Sequence, residues 1–114
     1  MKKIGIIGAG NIGCAIAKGM IKQNVTAPSK LFLSRRRNGL LDEQKKQGLT
    51  VADNHRLVKE CDIVILAVLP AQAKEVIQDL KPLLQKGEKI LVSVVSAVSI
   101  NELKEWSGNQ VAVV

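Results

Sequence analysis

Two kinds of hydrophobic pattern alternate along the 114-residue chain: short unbroken apolar runs, and longer stretches with apolar residues every three or four positions. Unbroken runs predict strands buried on both faces, and the helical spacing predicts helices with one apolar stripe. The runs fall at 3–7, 30–34, 49–52, 62–68, 89–95 and 110–114, and the periodic stretches at 11–23, 39–47, 54–61, 70–85 and 99–106. In 11–23 the stripe is Ile12, Ile16, Ala17 and Met20. In 70–85 it is Ala73, Val76, Ile77, Leu80, Leu83 and Leu84. The polar stretch 39–47 turns Leu40 and Leu41 inward, and 62–68, the most apolar run, predicts a central strand.

The boundaries carry their own signals. Pro28-Ser29 opens the second strand, and Asp53 or Asn54 caps the helix that follows the third. Ser99-Ile100-Asn101-Glu102 is a capping box, with Gly108 ending its helix. Pro82 is expected to kink or divide the last turns of 70–85. Strands alternating with helices imply βαβ units and a parallel sheet. Right-handed crossovers then predict an α/β fold with a doubly wound sheet of order 3-2-1-4-5-6, one domain over residues 1–114. The chain stops inside the run Val111 to Val114, so it is expected to be a fragment of a longer protein.

Between the first strand and the first helix lies Gly8-Ala9-Gly10-Asn11-Ile12-Gly13, a G-x-G-x-x-G. Alone the pattern is weak; after a strand, before a helix and inside a βαβ unit, it is the fingerprint of a Rossmann dinucleotide-binding domain. Gly8 permits the tight turn, Gly10 lets a pyrophosphate approach the backbone, and Gly13 lets helix and sheet pack closely. Free N–H groups at the helix start would meet the phosphate charge. At the end of the second strand, where an NAD site usually carries an acid for the ribose 2′-hydroxyl, stands Ser34, followed by Arg35-Arg36-Arg37. A serine donor and guanidinium forks suit a 2′-phosphate, which favours NADP(H) over NAD(H). At least one of the three arginines is expected simply to be solvated.

Charge and composition narrow the alternatives. The net charge is +7, from 17 Lys+Arg against 10 Asp+Glu, but the basic residues spread over helix faces. Phe32 and Trp106 are the only aromatics, so the core must be aliphatic and a base-stacking platform is missing. No nucleic-acid partner is expected. No apolar run is long enough to span a bilayer, and the basic N-terminus breaks into the glycine turn before any signal-peptide pattern completes, so a cytoplasmic protein without a membrane partner is expected. Cys14 and Cys61 match no metal or redox spacing and are read as reduced, buried thiols.

With these residues placed, the chain resembles the N-terminal domain of the pyrroline-5-carboxylate reductase family over its whole length. The family opens much like residues 3–13 and continues with a helix similar to Ala15-Ile16-Ala17-Lys18-Gly19. Its second strand often ends in Ser-x-Arg, matched by Ser34-Arg35-Arg36, and its adenosine-contacting asparagine matches Asn54. Ala67-Val68-Leu69-Pro70 stands for the family's Ala-Val-Lys-Pro. The stretch from Val92 through Ser93, Val94, Val95, Ser96, Ala97 and Val98 to Ser99-Ile100 stands for Val-Ser-x-Ala-Ala-Gly-x-Ser/Thr-Ile. The resemblance implies hydride transfer from NADPH to the imine carbon of 1-pyrroline-5-carboxylate, the last step of proline biosynthesis, with no metal and no covalent enzyme intermediate. It also implies that the helical domain which binds substrate and forms homo-oligomers lies outside these residues, so that the imine would bind only with that domain present and the 114-residue chain alone would be inactive.

Together the motif and the resemblance give an expected cofactor site of Ile7, Gly8, Ala9, Gly10, Asn11, Ile12, Gly13, Ser34, Arg35, Arg36, Asn54, Ala67, Val68, Leu69, Pro70, Val94, Val95 and Ser96, with no catalytic residue and no metal ligand assigned. Two departures fall near the expected nicotinamide pocket: Leu69 for lysine, and Val95-Ser96-Ala97 for Ala-Ala-Gly. They point to another substrate or a loss of activity. The competing readings are an NADP-dependent reductase of the 3-hydroxyacid dehydrogenase or F420-dependent NADP reductase type, or a non-catalytic NADP-binding module. His55, the only histidine, is expected beside the adenine pocket, Cys14 in packing against the sheet rather than as a reactive thiol, Asp62 at a loop end, and Lys74 and Glu75 in solvent.

Overall fold

The computed structural model describes residues 2–35, 41–86, 89–108 and 111–114. Six strands form one sheet: β1 (Ile4–Ile7), β2 (Leu31–Ser34), β3 (Thr50–Val51), β4 (Ile63–Leu66), β5 (Ile90–Ser93) and β6 (Ala112–Val113). Among the described residues five α-helices connect them: α1 (Asn11–Lys22), α2 (Asp42–Lys46), α3 (Asn54–Glu60), α4 (Pro70–Leu84) and α5 (Ile100–Ser107). Every pairing is parallel and the order is β3-β2-β1-β4-β5-β6, the doubly wound order expected from the sequence. Ile7 pairs with Ser34 on one side and Leu66 on the other, and Leu66 pairs with Ser93, so four strands end level.

Strand alternation sorts the core into two. Ile7, Phe32, Val64, Leu66 and Leu91 pack with α3, α4 and α5, while Ile4, Ile6, Leu31, Leu33 and Ile65 pack with α1 and Leu41. Gly5 faces the first side. A Cβ there would lie 2.3 Å from Leu57 and 3.0 Å from the Cys61 sulfur, so the missing side chain lets α3 press onto the sheet.

The strands are shorter than the apolar runs. Beyond the level ends the chain keeps single rungs, Gly8 N–H to the Ser34 carbonyl at 3.0 Å, Ala67 N–H to the Ile7 carbonyl at 2.8 Å and Val94 N–H to the Leu66 carbonyl at 3.0 Å, then turns away from the sheet. A 3₁₀ turn, Pro28–Lys30, precedes β2 with proline at its start, where no N–H is needed. The division expected at Pro82 does not occur: α4 runs to Leu84. Proline here sits in the last turn, and the carbonyl it leaves without a donor belongs to exposed Gln78 and can face water. Asp53 is the cap of α3, accepting the Arg56 N–H at 2.8 Å. Leu41 is buried as expected, and Leu40 lies outside the described residues. No helix among the described residues is long and apolar enough to cross a membrane.

Candidate functional site

A crevice opens over the level ends of β1, β2 and β4, at the point where the strand order reverses. Ligands of open α/β sheets bind in such a place. The crevice has two lobes of about 500 and 430 Å³ that share Gly8, Arg35, Val68 and Gln72. Ile7, Ser34, Asp53 and Asn54 form one side of the first lobe, and Glu75, Val76 and Asp79 of α4 the other. Gly10, Asn11, Ile12, Ala67 and Leu69 complete the second.

The glycine loop joins the lobes. Gly8 has φ +84°, and a Cβ on it would press within 2.9 Å of the Ala67–Val68 backbone, so glycine is required both for the turn and for the approach to β4. Gly13 is a packing glycine: a Cβ would meet the Gly8 carbonyl at 3.0 Å and Ile6 at 3.2 Å. A Cβ on Gly10 would meet no other atom within 4 Å, so its face is open to a ligand. The loop is tied down by bonds from the Gly8 and Ala9 N–H groups to the Ser34 carbonyl, at 3.0 and 2.8 Å, and from Gly10 N–H to the Gly8 carbonyl at 2.7 Å. No side chain caps α1 and no acid lies in its first turn, which leaves a helix start that favours an anion. By contrast, α3 and α5 carry side-chain caps.

Charge is graded along the crevice. The first lobe carries the carboxylates of Asp53, Glu75 and Asp79, and the second none. Arg35 is shared, at the end of β2. Arg36 lies outside the described residues. Ser34 is buried, and its hydroxyl donates to Asn54 Oδ1. Exposed His55 pairs with Asp79 at 3.3 Å, beside the first lobe.

Most of the expected site residues are thus brought together, but Ala9, Gly13, Pro70, Val94, Val95 and Ser96 line neither lobe. Ala9 and Gly13 shape the loop from within the fold. Val95 is buried with its N–H on Ser93 Oγ at 3.1 Å, so its extra bulk points into the core and not into the crevice. Leu69 does line the second lobe and is 68% exposed, next to Ile12 at 62%, giving that lobe an apolar mouth.

The sequence reading missed the α4 wall. Gln72, Glu75, Val76 and Asp79 lie at helical spacing beside the core stripe of Ala73, Ile77, Leu80 and Leu84, and that neighbouring mixed stripe was the available signal. Glu75, assigned to solvent, is exposed yet lines the lobe. Asp62 accepts the Lys3 N–H at 3.0 Å at the opposite end of the sheet, a structural tie.

Both thiols are free. Burial raises the Cys14 thiol pKa, partly offset by Arg35, and its sulfur donates to the Ala9 carbonyl at 3.1 Å, so the helix start does not activate it. Burial pushes Cys61 up to about 12.

Comparison with known proteins agrees with this geometry. A pyrroline-5-carboxylate reductase of Arabidopsis thaliana is 37% identical over 93% of this chain and 39% of its own length. A pyrroline-5-carboxylate reductase structure from Coxiella burnetii superposes with a TM-score of 0.91 at 29% identity, covering 98% of this chain and 42% of that one. The Plasmodium falciparum pyrroline carboxylate reductase, solved with NADP bound, gives 0.85 at 29% identity, over 98% and 40%. The chain therefore spans about two fifths of the length of these relatives. The model of the family described as NADP oxidoreductase, coenzyme F420-dependent, matches residues 3–97, and the chain belongs to that family.

Proposed function

We propose that this chain is the NADP(H)-binding part of an oxidoreductase of the pyrroline-5-carboxylate reductase type, which passes a hydride to a cyclic imine. One observation carries the reading: a glycine loop opens α1 without a side-chain cap at the sheet's switch point, beside a β2 that ends in Ser34, with Arg35 following, where NAD sites place an acid. The relatives at 28–37% identity are named for that activity, and one related structure holds NADP. In this reading the pyrophosphate lies on the start of α1, the adenosine end fills the lobe walled by α3 and α4, and the nicotinamide points to the mouth at Ile12 and Leu69. When bound, the cofactor supplies the hydride; the chain binds and orients it. The free thiols of Cys14 and Cys61 suit a reducing compartment such as the cytoplasm.

Titration calorimetry tests the proposal. NADPH should bind about ten-fold or more tightly than NADH, because hydrogen bonds to a charged group contribute about 1.5–3 kcal/mol. Gly10→Val should abolish binding of both while leaving circular dichroism unchanged, since the new side chain projects into open space. Equal affinities, or binding that survives Gly10→Val, would remove the basis of the reading.

The family description favours a second reading, an F420-dependent NADP oxidoreductase. It keeps the same cofactor site and differs in the partner at the mouth, so reduction of NADP by the reduced deazaflavin, assayed in a protein that includes the rest of the relatives' length, separates the two.

A further inference from the structure

All strands of the sheet point the same way, so the molecule has two unlike ends. The crevice takes one. At the other, helices finish and strands begin, and lysine recurs there. Each of the five described α-helices carries a lysine in its last turn, among them Lys22, Lys81 and Lys104. The helix dipole favours cations at those places. It does not account for Lys3, Lys30 and Lys89, each standing directly before a strand. No lysine forms an ion pair among the described residues. Of the described acids at this end, Asp62 accepts the Lys3 N–H and Glu60 pairs with Arg56, which leaves exposed Glu105. The lysine charge is therefore largely uncompensated. Two apolar side chains are exposed at the same end: Val25, at 62%, in the turn after α1, and Ile90, at 37%, at the start of β5.

We propose that this end of the molecule docks on an anionic membrane surface, with its lysines among the lipid headgroups, Val25 and Ile90 against the acyl boundary, and the crevice facing away from the bilayer. Lysine suits such a surface: its ammonium is a hydrated point charge on a flexible stem, fitted to a diffuse field more than to one shaped anion. Nucleic acid fits less well, because Phe32 is buried and Trp106 half-buried, which leaves no platform on which bases stack. The short apolar runs, which led to the expectation of no membrane partner, exclude a span but not a contact at headgroup level, where charge and a few apolar side chains suffice. The contact is independent of the cofactor, which the opposite end would hold.

Co-sedimentation of the 114-residue chain with lipid vesicles is the test. Vesicles of equal parts phosphatidylcholine and phosphatidylserine should carry the chain down at low salt and release it as salt is added. Vesicles of phosphatidylcholine alone should not bind it. Each lysine near an anionic surface contributes about five-fold in partitioning, so Lys22→Gln with Lys81→Gln should lower binding about twenty-fold. Lys18→Gln with Lys74→Gln removes the same charge from the same two helices, one and two turns nearer the crevice, and should lose far less. Val25→Ser should lower vesicle binding about three-fold and leave binding of polyuridylic acid, which has no apolar layer, unchanged. All five positions are exposed, so the variants should keep the parent's circular dichroism. Equal losses in the two lysine pairs would trace binding to net charge and not to this end, and would overturn the proposal. Tighter binding of polyuridylic acid than of the anionic vesicles, equal binding of both kinds of vesicle, or binding of neither would overturn it as well.

Discussion

Ala97 has a left-handed backbone, φ +62°, at the position where the resembling family pattern has glycine. An L-residue there carries roughly 1–2 kcal/mol of steric cost. Glycine would relieve it and in return loosen the unfolded chain, at about 0.4–1 kcal/mol. Ala97 is exposed, so no packing is lost on substitution. Ala97→Gly should therefore stabilise the protein by about 0.5–1 kcal/mol, seen as a higher urea midpoint with an unchanged slope. A lower midpoint would contradict this account. At this scale the sequence was legible wherever a residue's role depends on its own backbone. Gly8 and Gly13 take the turn and packing roles their spacing implied, and the face of Gly10 is open. It was less legible where the role depends on a partner twenty residues away. The hydrogen bond from the Ser34 hydroxyl to Asn54, twenty residues on, shows only in the fold.

Helix starts divide the elements into two groups. At α5, Ser99 Oγ accepts the Glu102 N–H at 3.1 Å and the Glu102 carboxylate accepts the Ser99 N–H at 3.2 Å, the capping box legible in the sequence. Ser99→Ala should cost about 1 kcal/mol, since one orphan donor loses its acceptor. It should also speed hydrogen exchange in the first turn of α5. An unchanged midpoint would mean that burial of Leu103 alone holds the helix. The start of α1, beside the glycine loop, has no such cap and no acid in its first turn, an arrangement that favours an anion. Element boundaries were the least legible feature. β4 and β5 stop at Leu66 and Ser93, short of their apolar runs, because the residues beyond them leave the ladder to form the crevice rim and the turn toward α5.

For the whole molecule, the strand order was readable from the alternation of patterns and crossover handedness, and so was a crevice at the order reversal. The α4 wall was not, because a mixed polar stripe on a helix looks the same whether it faces bulk water or a ligand. The turnover prediction belongs here. Hydride transfer needs an acceptor held about 3–3.5 Å from the nicotinamide, and the second lobe ends in an exposed mouth at Ile12 and Leu69. Purified 114-residue protein should bind NADPH, with a change in nicotinamide fluorescence, but show no loss of nicotinamide absorbance when 1-pyrroline-5-carboxylate is added. Steady oxidation of NADPH would place the acceptor site wholly within these residues. The division of the core by the sheet has one more consequence. The glycine loop is braced by the α1 side, and the wall of Glu75, Val76 and Asp79 by the α4 side, with a layer of strands between them. Substitutions in layers that share no partners combine nearly additively, within about 0.5 kcal/mol. The sheet is thus a bulkhead: away from Gly8, Val68 and Gln72, which both lobes share, one wall of the crevice can be rebuilt in the course of divergence while the glycine loop on the other side keeps its shape.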